Sequence, residues 1–96
     1  MAVYVDQAAI LYRGKPRHHM TADSIGELHS FADSVDINRC WYHRGARHPH
    51  YDITDEQRHM ALQAGAVAVS TRELMTVARR LNSASVRRGL VRLVEK

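Results

Sequence analysis

Cysteine is almost absent from this 96-residue chain: Cys40 stands alone. A single thiol excludes an internal disulfide and a four-thiolate zinc site. Cys40 therefore reads as a small buried apolar residue in a strand. No apolar run approaches the ~20 residues that cross a bilayer, so no membrane span is expected. The N-terminus lacks a basic region followed by a long apolar core, so no secretory signal is expected and cytoplasmic residence is the default. No P-loop, G-x-G-x-x-G or H-E-x-x-H motif occurs, Gly14 and Gly45 are isolated, and Ser70–Thr71 has no nucleophile-elbow pattern around it. Hydride transfer and serine hydrolysis thus find no support. Internal repeats and low-complexity segments are also missing.

What is present is ordinary in bulk and uneven in detail. The apolar share of 45% and charged share of 25% are those of a soluble globular protein, and the length suits one modest core. The net charge is +4 with seven histidines uncounted. The cations cluster in RGKPRHH at 13–19, in RGARH at 44–48, and in a tail holding Arg79, Arg80, Arg87, Arg88 and Arg92. Such patches attract RNA or DNA by phosphate neutralisation. They serve equally as a solvated surface.

AVYVD at 2–6 reads as a buried strand ending in an acid, and QAAILYRGKPR as a loop broken by Gly14 and Pro16. HHMTA at 18–22 suits a short strand. Ser24 and Glu27 fit a capping box, with Asp23 as a competing cap, before a helix whose apolar face carries Ile25, Leu28, Phe31, Ala32 and Val35. INRCWYH at 37–43 is expected as a second strand, and RGARHPHYD as a loop. Thr54 or Asp52 caps the next helix, which ends at Gly65. AVAVS at 66–70 is a third buried strand, and Thr71 caps a third helix. Residues 1–81 then form one α/β domain, and 82–96 a basic amphipathic helical tail. That tail packs on the domain, pairs with a second copy in a homodimer, or lies on a phosphate backbone.

This alternation predicts a small three-layer domain with a short, mainly parallel sheet of about three to four strands flanked by helices. Right-handed crossovers would put the strand carboxyl ends on one rim, where ligands bind in open α/β sheets. HPHYDIT at 48–54 would be a loop on that rim, beside Asp6 and the start of the third helix. Asp6, Asp52, Asp55 and Glu73 would converge there, and clustered carboxylates repel unless a cation neutralises them. Asp6, Asp52, Glu73, His19 and His50 are accordingly the candidate ligands of a divalent ion. Oxygen ligands suit magnesium or manganese, and histidine nitrogens pull toward manganese, iron or zinc. Asp6, His50 and Asp52 are the candidate catalytic residues, with His50 or His19 as ligand or proton carrier. His48 adds a further imidazole. Arg58 and Arg72 would hold phosphate, and Trp41 and Tyr51 would contact substrate. Each has a plainer reading: Asp52 as a helix cap, Asp55 and Glu73 as first-turn acids, Trp41 as core.

VYVD at the start, HMTAD at 19–23, ELHSFA at 27–32, HPHYDIT and AGAVAVSTREL resemble a small bacterial and phage family labelled domain of unknown function 4031. The resemblance runs over roughly residues 2–80. Where the family pattern carries a second acid after the first, this chain has Gln7. The label implies no activity. A fainter likeness joins VD after the first strand, an acid-led helix and GAVAVSTREL to PIN-like ribonuclease domains. That likeness implies acids at strand ends around magnesium or manganese, with Asp6 as the first, Asp52 or Asp55 as the middle one and Glu73 as the last. The functional expectation is a metal-dependent phosphodiesterase or nuclease acting on nucleic acid. The alternatives are a non-catalytic module binding nucleic acid or protein, and a small-nucleotide binder.

Overall fold

The computed structural model describes residues 2–43 and 48–81. The basic tail over 82–96, its suggested part in a dimer and the 44–47 portion of the second basic block lie outside the described residues. The elements run β1 (Val3–Val5), β2 (Ile10–Tyr12), β3 (Lys15–Ala22), α1 (Ile25–Ser34), a 3-10 turn (Arg39–Trp41), β4 (Tyr42–His43), β5 (His50–Ile53), α2 (Asp55–Gln63) and β6 (Val67–Ala68). A third helix, α3, follows over 71–81.

The sheet corrects the expected topology. Six strands lie in the order β4-β5-β3-β1-β6, with β2 pairing β3 beside that path. The β1–β3, β2–β3, β3–β5 and β4–β5 pairs are antiparallel, and among the described residues only β1–β6 is parallel. The sheet is therefore mixed and mostly antiparallel, not mainly parallel. A PIN-like arrangement, with acids gathered at the ends of parallel strands, has no support in it.

Three local features account for the difference. The segment read as a loop after β1 is a hairpin: Tyr12 pairs with Lys15, and Arg13 and Gly14 between them both have positive φ, 52° and 78°. Two left-handed central residues define the type I′ turn that matches strand twist. In 37–43 the Asn38 side chain accepts from the Cys40 N–H at 2.8 Å. This local bond competes with strand pairing and winds 39–41 into a 3-10 turn, leaving a two-residue strand. Cys40 is exposed there, not buried in a strand. HYDI, read as loop, is β5, with His50 and Asp52 half-buried and Tyr51 and Ile53 fully buried. That is period-two alternation of a strand with one core face. β6 is shorter than the expected 66–70, and both its residues are exposed.

The helices follow their caps. The Ser24 hydroxyl accepts from the Glu27 N–H. Thr54, not Asp52, caps α2, in a full capping box with Gln57. Gly65, at φ 107°, ends that helix. Ser70, not Thr71, caps α3 through the Glu73 N–H. Leu28 and Ala32 of α1 and Ala61 of α2 join Val3, Val5, Met20, Ala22, Tyr51 and Ile53 in one core. Truncating a fully buried residue such as Leu28 to alanine costs about 2–5 kcal/mol. Since side chains alternate across a strand, the opposite sheet face carries Arg17 and His19 of β3, His43 of β4, and His50 and Asp52 of β5. No helix of the described residues is long and apolar enough to cross a membrane.

Candidate metal centre

Register builds the site. His19 pairs directly with Asp52 across β3–β5, and His43 with His50 across β4–β5. Paired residues share a face with side chains close together. Ligand atoms of His19, His50 and Asp52 therefore lie within 4.8 Å of one another. The His19 and His50 rings meet edge to face at 4.8 Å, and His43 stacks on His50 at 5.0 Å.

Each of the three has an outer partner. Asp6, fully buried just past β1, accepts the His19 Nδ1–H at Oδ2 (2.8 Å) and the His19 backbone N–H at Oδ1 (2.8 Å). The Ala8 N–H adds a third bond to Oδ1. The His50 Nδ1–H donates to the His48 carbonyl. The His43 Nε2–H donates to Asp52 Oδ2 at 2.7 Å. With both Nδ1 atoms engaged on oxygens, the neutral form of each ring is the tautomer whose Nε2 can serve as a ligand. Carboxylate or carbonyl partners behind histidines are the usual outer shell of a metal site.

The electrostatics follow from these contacts. Burial pushes the Asp6 carboxyl up, but the hydrogen bonds from the His19 side chain and backbone, with the His19 charge, outweigh it and bring the group down to about 2. The same Asp6 bond raises His19 against the opposing effect of burial. Burial lowers His50, outweighing its bond to the His48 carbonyl. His50 Nε2 lies 3.2 Å from Asp52 Oδ1, close enough for the two atoms to share one cation.

The cluster lines a pocket of about 220 Å³ whose remaining wall is Ile10, Leu11, Tyr12 and Arg17 from the β2–β3 hairpin. A larger cavity of about 560 Å³ lies beyond α1 around Asp33, Asp36 and Arg39. It is broad and open, the Asp33–Arg39 ion pair stands in it, and it holds no histidine.

Of the residues singled out from sequence, His19, His50 and Asp52 come together, with Asp6 directly behind His19. Glu73 stands apart, its carboxylate accepting from the Ser70 hydroxyl at 3.3 Å. Arg58 donates from Nε to the Asp6 carbonyl at 2.8 Å and ties α2 to the end of β1. Arg72 is exposed on the first turn of α3. Tyr51 is fully buried on the core face, its hydroxyl bonded to His29 Nδ1 at 2.6 Å. Trp41 packs against the core and carries Arg17 on its ring, 4.0 Å from the centroid. Asp55 pairs with the buried His18, whose Nδ1 accepts from the Ala9 N–H. His43 and Arg17 carried no special weight in the sequence. A strand reading of HYD would have placed His50 and Asp52 on one face and led to the partner strand.

Residues 3–81 match the family described as a protein of unknown function, DUF4031, and the chain belongs to that family. Neither the curated proteins nor the solved structures contain a significant match to it.

Proposed function

We propose that the protein is a divalent-metal-dependent hydrolase of phosphodiesters, its ion held by Nε2 of His19, Nε2 of His50 and a carboxylate oxygen of Asp52. The carrying observation is that all three candidate ligands are already oriented by an outer partner, Asp6, the His48 carbonyl and His43 respectively. Two nitrogens and one oxygen favour zinc, manganese or iron over magnesium, which prefers an all-oxygen shell. Three protein ligands leave a coordination position open, where a bound ion lowers the pKa of water and polarises a phosphoryl oxygen. Asp6 holds the His19 ring in place and compensates charge from behind. His43, half exposed, commits its Nε2–H to Asp52 and steadies that ligand. Arg17 on the pocket wall and the net charge of +4 suit an anionic substrate.

The test is hydrolysis of bis-p-nitrophenyl phosphate by the full chain, stripped of metal and reloaded with zinc or manganese. Activity should depend on the ion and fall at least ~100-fold in Asp52→Asn, with the circular dichroism spectrum unchanged. Turnover that survives chelation, or that is equal in Asp52→Asn, contradicts the reading.

A further inference from the structure

The β2–β3 hairpin carries chemistry that the metal cluster does not use. On its flank a second pocket of about 320 Å³ is lined by Tyr12, Arg13, Lys15, Arg17 and Trp41. Its lining holds three cations, two aromatic rings and no acid. Tyr12 and Arg17 line this pocket and the cluster pocket alike. The two concavities are thus neighbours divided by those two side chains.

Arg17 is unusually fixed for a cation on a surface. Its guanidinium lies over the Trp41 ring at 4.0 Å, and Tyr12 meets the edge of the same ring system at 6.1 Å. Its Nε is shielded from solvent and has no hydrogen-bond partner. A guanidinium held flat by stacking can still donate from its terminal nitrogens, and with Tyr12, whose ring carries the Arg13 guanidinium at 5.4 Å, it forms a cationic aromatic surface of the kind on which a base stacks. Tyr12 remains 47% exposed, with Leu11 and Ile10 beside it at 73% and 55%. Apolar and aromatic surface of this extent among cations suits a ligand with flat faces and negative charge.

We infer that the hairpin pocket is a nucleotide subsite, Arg17 gripping a backbone phosphate and Tyr12 with the Arg17–Trp41 stack receiving an adjacent base, so that the substrate is single-stranded nucleic acid. This inference rests on the hydrolase reading for the cluster next door, since the subsite leads the neighbouring phosphodiester into it. Single strands are specified because a base paired in a duplex has its faces covered by its neighbours and cannot offer one to a side chain.

The sole tryptophan, Trp41, supplies the signal. Its fluorescence is followed as the full chain, in EDTA so that nothing is cleaved, is titrated with single-stranded oligothymidylate, with a duplex of the same length and with polyphosphate of equal charge. Polyphosphate measures what the chain's cations contribute by charge alone. The single strand should bind at least ~10-fold more tightly than the other two and should quench Trp41. Arg17→Ala, and equally Arg17→Lys, which keeps the charge but loses the stack, should remove that advantage while thermal melting confirms the fold. Equal affinity for all three ligands, or an advantage unchanged in both variants, overturns the inference. Because no metal is present, these outcomes are independent of the hydrolysis test: selective binding without turnover leaves the subsite standing and removes the hydrolase, and turnover without selectivity does the reverse.

Discussion

At the scale of single residues, histidines that are satisfied structurally lie close to those of the proposed site. His18 is buried and satisfied on both ring nitrogens, by the Ala9 N–H and by Asp55. His29 accepts the Tyr51 hydroxyl against the core, and burial holds it below its ordinary value of 6.5. Its folded value thus lies under its unfolded one, so the unfolded chain takes up the proton more readily. The stability linked to His29 is present above about pH 6.5 and is lost as pH falls through the folded value. Chemical denaturation of wild type and His29→Gln at pH 7.5 and 5.5 should show a smaller acid loss in the variant. An equal or larger acid loss in the variant would remove His29 as a source of acid sensitivity. Asp6, His19, His50 and Asp52 were picked out in the sequence as acids and imidazoles expected on one rim of the sheet. Arg17 was not, because a basic block gives no hint that one of its members lies on an indole.

At the scale of elements, what could be read depended on local chemistry. α1 and α2 announce themselves through Ser24, Thr54 and Gly65, whose roles come from side-chain oxygens and a left-handed φ. The strands were harder. β5 is only HYDI, four residues with a half-buried polar face of His50 and Asp52, so its alternation passed for a loop. The β2–β3 turn is Arg-Gly, without the Asn-Gly that usually marks a type I′ turn. Two glycines test this account with opposite signs. Gly14, at φ 78°, should lose about 1 kcal/mol on mutation to alanine, because a β-carbon disfavours left-handed backbone. Gly26 lies in α1 with open space where a β-carbon would go, and Gly26→Ala should gain about 0.5–1 kcal/mol. Urea denaturation of both variants checks this, and equal shifts in one direction would contradict the assigned backbone conformations.

At the scale of the whole molecule, the strand-helix alternation suggested crossovers between parallel strands and a rim of acids. The expected strand at 18–22 is the second half of β3, but the hairpin that begins inside the presumed connection runs it antiparallel to β1, and this reverses most of the sheet. Asp6 and Asp52 are still brought into one neighbourhood, by a different physical route. Antiparallel register sets His19 opposite Asp52, and the His19 ring spans from there to the Asp6 carboxylate. A sheet whose core face packs α1 and α2 thus keeps its other face for imidazoles, a carboxylate and a stacked guanidinium. Membership of DUF4031 defines the family without defining the chemistry, so the proposed function is argued from that face.

The most direct measurement is a crystal structure of the full chain with zinc, read from anomalous scattering. A single strong peak is expected about 2.0–2.2 Å from His19 Nε2, His50 Nε2 and one Asp52 oxygen, with Asp6 still bonded to His19 Nδ1. Saturating zinc that leaves this position empty, or binds only elsewhere while the cluster keeps its geometry, would contradict the metal centre and the hydrolase with it.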